Sequence, residues 1–342
     1  MTFRFFRRTL QFLPFRCVAA LLWLVASSVS AQVLVVLSDE SASYQEVADE
    51  LRIRLTSGRE GLRIEVLTAA ALSNVDERDL GSYALVMTVG LAAAQAAVAR
   101  ENALAVLPPT LCLLIPRQSF ERFVPTQAGA RARRLSAVFI DQPLSRQLDL
   151  IRIALPDKSR VGVLLGPNSS EWQDELRDRA RERSLTLAAA VVTEAAGVYG
   201  ALQKVLPESD LLLALPDTVA LNATTAYGVL LTSYRAKIPV VGFSEGLVKA
   251  GALLALYSSG RQQGKQGAEI ANRILAGDGG LPAPQYPTYF TVRVNSSVAR
   301  SLGIQMEEEA TMAAALAARS HVVGDAREPR PVDASGTQRR GP

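Results

Sequence analysis

The stretch Gly242-Phe243-Ser244-Glu245-Gly246 is the part of this sequence that most resembles a catalytic motif. A G-x-S-x-G turn after a strand can present a nucleophilic serine, and Ser244, Asp278 and His321 follow in the order of a hydrolytic triad. That chemistry needs a base held against the serine. The single histidine, His321, opens a segment of Pro, Gly and charged residues that reads as disordered, and no His-Gly-Gly run supplies an oxyanion site. The other reading of the motif is a strand-to-helix turn that glycine permits, which is also where open α/β sheets contact ligands. The two cysteines, Cys17 and Cys112, and the one histidine cannot build the usual zinc sites. No Gly-Lys-Ser/Thr phosphate loop is present, and no G-x-G-x-x-G follows the first strand. The expectation is a protein that is not an enzyme and carries no cofactor or metal.

The elements around these residues alternate regularly. Val33–Leu37, Leu62–Leu67, Ala84–Val89, Thr110–Ile115 and Leu135–Ile140 read as strands, with helices over Tyr44–Leu55 and Leu91–Arg100. The pattern then restarts. Strands are expected at Val161–Leu165, Leu187–Val192, Leu211–Leu215, Pro239–Val241, Leu253–Tyr257 and Tyr289–Val294. Helices are expected at Leu144–Leu155, Glu171–Arg183, Tyr199–Leu206, Thr218–Tyr234, Arg261–Ala276 and Ser296–Leu302. Apolar runs without clean alternation suit strands buried on both faces. Two strand–helix series therefore predict an α/β protein with two doubly wound parallel-sheet lobes. From about Glu307 strand signals stop. Ala310–Arg319 reads as one helix, and the chain from His321 reads as a disordered tail.

The start of the chain points to export. Arg4, Arg7, Arg8 and Arg16 precede an apolar run from Cys17 to Ala26 and small residues at Val29-Ser30-Ala31. This is the pattern of a signal peptide cleaved before Gln32, and the expected location is the periplasm. With those arginines removed, 33 basic residues balance 33 acidic ones, which argues against nucleic acid as the partner. Cys112 would then be the lone cysteine, unable to form an internal disulfide, so the fold must rest on its core.

Several stretches carry a resemblance to a known family. Val240-Val241-Gly242-Phe243-Ser244, Val248-Lys249-Ala250-Gly251-Ala252-Leu253 and Ile274-Leu275-Ala276-Gly277 resemble the ABC-transporter substrate-binding proteins of the TrpX-like, tryptophan/tyrosine-binding group. So do Asp141-Gln142-Pro143-Leu144-Ser145-Arg146-Gln147-Leu148, Arg160 to Pro167, and Ala299-Arg300-Ser301-Leu302-Gly303-Ile304. The resemblance covers about Val33 to Ile304, closely in the second half and loosely in the first. It implies a type I periplasmic-binding fold, two lobes joined by hinge strands, a small-molecule ligand in the cleft and an ABC permease as partner. The boundaries that follow are 1–31 for the signal, 32–140 with about 258–282 for lobe one, 141–252 with about 285–305 for lobe two, and 306–342 for the tail. The alternative role is a diverged periplasmic sensor or an accessory of another uptake system.

Ligands of such sheets sit at the carboxyl ends of strands. On lobe one that rule selects Ser38, Asp39, Glu40, Ser41, Gly90 and Leu91. Gly90 either opens a helix N-terminus to a carboxylate or simply permits the turn. On lobe two the rule selects Asn168, Ser169, Asp217, Thr218, Ser244 and Glu245. Asp217 suits either a ligand amine or a helix cap. Trp172 and Glu171 read first as a solvated helix start, and Trp172 also as a stacking surface.

Overall fold

The computed structural model describes residues 32–57, 59, 61–101, 108–123 and 134–322. The basic start, the cleavage site and the stretch after Val322 lie outside the described residues. The first lobe is built on β1 (Gln32–Leu37), β2 (Arg63–Thr68), β3 (Leu85–Val89), β4 (Thr110–Ile115) and β5 (Leu135–Phe139). All pairings are parallel, in the order β2-β1-β3-β4-β5. Successive side chains of a strand face opposite sides, and β1 shows what this requires. Val33, Val35 and Leu37 pack with Val47, Leu51 and Leu55 of α1 (Ala42–Thr56). Leu34 and Val36 pack on the other side with Ala93 and Ala97 of α2 (Leu91–Glu101). Both faces are covered, so the strand has no polar alternation. A short helix, α3 (Arg117–Phe123), follows β4.

The second lobe runs α4 (Leu144–Ala154), β6 (Arg160–Leu165), α5 (Gln173–Arg181), β7 (Thr186–Val191), α6 (Val198–Val205), β8 (Leu211–Leu213), α7 (Ala226–Arg235), β9 (Val240–Gly242), α8 (Glu245–Ala250) and β10 (Leu254–Tyr257). The chain then returns to the first lobe as α9 (Gly260–Ala276), which packs against α1 and β4. It comes back as β11 (Thr291–Val294), followed by α10 (Ser296–Leu302) and α11 (Glu309–Val322). The second sheet has the order β11-β10-β9-β8-β6-β7, with β11 antiparallel to β10 and the other pairings parallel. The two doubly wound lobes expected from the sequence are therefore present.

The chain passes between lobes three times: after β5, after β10, and between Tyr286 and β11. One hydrogen-bonded chain fastens these passages together. Arg146, buried at the start of α4, donates to Gln142 Oε1 and to the Pro287 carbonyl, both at 2.8 Å, and its guanidinium lies over the Phe290 ring. Gln142 Nε2 donates to Ser258 Oγ at 2.9 Å, and Ser258 Oγ donates to the Tyr289 carbonyl at 2.6 Å. A bridge between Val138 and Gln285 continues the first sheet at its β5 edge.

Two elements differ most from expectation. The helix expected at Thr218–Tyr234 begins only at Ala226. The side chains before it compete for the backbone: Asp217 accepts from the N–H groups of Val219 and Ala220, and Asn222 accepts from those of Thr224 and Thr225. Such local bonds hold the segment in turns. The expected Ala310–Arg319 helix extends over Glu309–Val322, and it is not a loose appendage. Met312 and Leu316 are fully buried in the second lobe's core beside Leu148 and Ile151 of α4.

Candidate functional site

A cavity of about 240 Å³ lies between the lobes. The first lobe reaches it through the residues just beyond β4 and β5, namely Pro116, Arg117, Ile140 and Asp141, and through Tyr286. The second lobe contributes Leu215 and Pro216 beyond β8, Phe243 and Ser244 beyond β9, and Leu144, Gln147, Trp172 and Glu175 from the helical side. The carboxyl ends of strands from both sheets thus face one space, as open α/β sheets require of a ligand site.

The end of β4 is specially shaped. Pairing with β5 slips between Leu113 and Ile115, and Leu114 between them takes φ 51, a left-handed conformation that leucine rarely adopts. Pro116 and Arg117, just beyond this bulge, line the cavity. Arg117 is then tied down by three bonds. Its backbone N–H donates to Asp141 Oδ2 at 2.6 Å, its Nε to Glu121 at 2.8 Å and its Nη1 to Tyr286 Oη at 2.7 Å. Burial opposes its charge, but Tyr286 and Glu121 more than compensate, so Arg117 stays a cation. Tyr286 is braced edge-on by Phe139, which meets Phe120 in the same way.

Asp141 is held in a different balance. Burial pushes its carboxyl above the ordinary carboxylate range, and the N–H and charge of Arg117 only partly offset this. Burial also raises the Tyr286 phenol, against Arg117, and the Asp141 and Glu175 carboxylates add to that rise. Both carboxylates therefore act on one phenol at the cavity wall. Gln147 is 6% exposed and donates to the Gln142 carbonyl, while its Oε1 accepts no hydrogen bond among the described residues.

Of the residues chosen from sequence, Ser244 lines the cavity, as does Trp172. Ser244 Oγ also accepts from the Leu247 N–H and so caps α8. Asn168, Ser169, Asp217 and Thr218 come together in one network beside the cavity rather than on its wall. Asp217 is 6% exposed and accepts from four donors: Asn168 N, Ser169 Oγ, Val219 N and Ala220 N, at 2.8–3.0 Å. Burial raises its carboxyl, but these bonds together bring it below the usual range. Asn168 Oδ1 accepts from Thr218, and Asn168 Nδ2 crosses to Gln118 Oε1 of the first lobe at 3.2 Å. Gln118 Nε2 in turn donates to Glu171 of the second lobe. This buried glutamine is a direct latch across the cleft.

Ser38, Asp39, Ser41, Gly90 and Leu91 lie beyond β1 and β3 and do not line the cavity, although Leu91 packs in the cluster that includes Tyr286. Ser38 Oγ donates to the Val89 carbonyl and accepts from Ala93 N, both at 3.0 Å, so it holds the start of α2. Gly90 has φ +89, and a Cβ there would sit 2.5 Å from Ser38 Oγ. Asp39 accepts from Ser41 N at 2.8 Å on the open surface, and Glu245 pairs with Lys249 at 3.0 Å. Sequence reasoning passed over Arg117, Asp141, Gln147, Glu175 and Tyr286. The strand-end rule reaches Pro116-Arg117 and Ile140-Asp141 as readily as it reaches Gly90. Glu175 and Tyr286, on a helix and on a hinge passage, give no such signal.

A family model described as ABC transporter substrate binding protein matches residues 136–317. No curated protein matches the chain by sequence. Among solved structures, a ligand-free, open substrate-binding protein with adhesive properties from Clostridium difficile is similar at a TM-score of 0.66 and 19% identity, over 81% of this chain and 96% of that one. An ABC domain in complex with L-Trp from Streptococcus pneumonia is similar at 0.56 and 16%, over 82% and 96%. A periplasmic ribose ABC transporter protein from Conexibacter woesei is similar at 0.50 and 14%, over 81% and 95%. These likenesses establish the two-lobed fold, and the proteins they name are binding proteins rather than enzymes.

Proposed function

Because the chain belongs to the ABC transporter substrate-binding protein family, we propose that it captures a small organic ligand in the interlobe cavity and delivers it to an importer in the membrane. The observation that carries this reading is the cavity itself, walled by strand ends from both sheets. At about 240 Å³ it falls below the roughly 300–1,000 Å³ typical of sites for drug-sized molecules, which favours a ligand of amino-acid size. The Streptococcus neighbour named with L-Trp supports the same size class. Contacts on both walls would favour the closed arrangement by their differential affinity for it. The hydrogen-bonded chain through Arg146, Gln142 and Ser258 supplies the hinge about which the lobes turn. The N-terminal Arg-rich and apolar stretch supports a periplasmic location for this work.

Native mass spectrometry of protein purified from its periplasm should show a retained small molecule. Small-angle scattering should show a larger radius of gyration once that molecule is removed. A protein that carries and binds no small molecule, with one radius throughout, would refute the capture reading.

A further inference from the structure

From the cavity wall we infer that the ligand is an apolar organic amine without a carboxylate: an aryl-alkyl ammonium ion rather than an amino acid or a sugar. This deepens the capture reading and rests on it. The charged groups on the wall are Arg117, Asp141 and Glu175. The Arg117 guanidinium is already matched by Glu121 at 2.8 Å and engaged by Tyr286. Asp141 has no side-chain cation against it, only the Arg117 backbone N–H and that shared guanidinium charge. Glu175, exposed at the cavity wall, makes no ion pair or hydrogen bond among the described residues. The buried Gln147 adds an acceptor without a donor.

The wall therefore holds two carboxylates and an amide oxygen, all acceptors, and no unmatched cation. Arg146, the other nearby cation, stands behind Gln142 and is taken up by Gln142 and Pro287. Three helix starts reach the cavity. Ser244 Oγ takes up the Leu247 N–H of α8, Arg117's own N–H at the start of α3 is spent on Asp141, and α4, which begins at Leu144 without a side-chain cap, follows Asp141 in the chain. A ligand carboxylate would enter a space that already holds the Asp141 and Glu175 side chains, where no side-chain cation is unmatched. An ammonium would meet Asp141 and Gln147, and would offset the burial that now holds Asp141 toward its neutral form. Trp172, Phe243 and Tyr286 provide aromatic surface for the ligand body, and aromatic faces also attract a cation. The wall lacks the dense set of paired donors and acceptors that a sugar's hydroxyls need.

The test is calorimetric titration of the ligand-stripped full protein with tryptamine and tyramine, with L-tryptophan and L-tyrosine, with indole-3-propionate and with ribose. The amines should bind at least about tenfold tighter than the matching amino acids, since one charge-assisted bond gained or one carboxylate stranded shifts affinity by about that factor. Indole-3-propionate and ribose should not bind. Glu175→Gln, at an exposed position, should weaken the amines about tenfold and leave Tm unchanged. Asp141→Asn keeps an acceptor for Arg117 N and should weaken them further. Amine affinity should rise as pH increases through the Asp141 titration. If the amino acids or ribose bind as tightly as the amines, the amine assignment falls while the capture reading stands. If no amine binds although another molecule co-purifies, it also falls. If nothing binds or co-purifies, both fall.

Discussion

Replacing Asp217 by alanine should destabilise the protein severely and alter ligand affinity little. The carboxylate is 6% exposed and accepts from two backbone N–H groups of its own turn, from Asn168 N and from Ser169 Oγ. Alanine leaves these donors without an acceptor, and Ser169 is fully buried. Bonds to a charged acceptor contribute about 1.5–3 kcal/mol each, but such losses overlap and the turn can relax toward water. A cost of about 3 kcal/mol is the reasonable total, which lowers Tm by roughly 6–12 °C in a domain of this size. Asp217→Asn keeps one acceptor oxygen and should lose about half as much. The same bonds hold the folded carboxyl below its unfolded value. Its contribution is therefore complete above about pH 4 and is lost as pH falls through the folded value, so the wild type and Asp217→Ala should converge in stability in acid. Differential scanning calorimetry from pH 3 to 7, with ligand titration at pH 7, measures all of this. A normal Tm combined with weakened binding would refute the argument, because it would mean that Asp217 holds ligand rather than the loops beside the cavity.

Two further outcomes follow from contacts elsewhere. Gln118→Ala removes both bonds of the cross-cleft latch. The ligand-free protein should shift toward an open form in small-angle scattering, and ligand affinity should fall about three- to tenfold, in line with roughly 1 kcal/mol for a lost hydrogen bond. An unchanged radius and affinity would show that the latch does not set the lobe equilibrium. Gly264→Ala places a methyl 2.9 Å from the Val47 carbonyl and 2.8 Å from Glu50 Cβ, so α9 must move off α1. It should cost about 1–3 kcal/mol in thermal unfolding, the usual range for overpacking, although alanine favours helix; a gain in Tm would contradict the close packing described here.

Much of the fold is legible in the sequence because it depends on local signals. Runs such as Val33–Leu37 and Leu111–Ile115 announce strands covered on both sides, and Gly277 ends α9 at φ +79 as a helix stop should. The errors occurred where side chains act on nearby backbone. Asp217 and Asn222 undo the start of a helix that apolar periodicity extends back to Thr218. The amphipathic repeat of α11 was legible as a helix, but its burial depends on Leu148 and Ile151, far away in sequence. The site was the least legible part. Its cavity depends on which strand ends the hinge passages bring together, and on a bulge at Leu114 that no residue type announces.

The positions of α9 and α11 have a consequence for the order in which the protein can be made. The five strands of the first sheet are all present by Phe139, yet α1 and β4 lack their partner α9 until the chain reaches Ala276, and the bridge to Gln285 at the β5 edge comes later still. The second lobe begins at Leu144, but its core is closed by Leu316. A chain that emerges N-terminus first therefore has no finished lobe until most of the described residues have appeared, and the second lobe waits for the last described helix. Such interleaving leaves both cores incomplete through most of synthesis, and it makes C-terminal truncation before Leu316 a lesion of the core rather than of a tail.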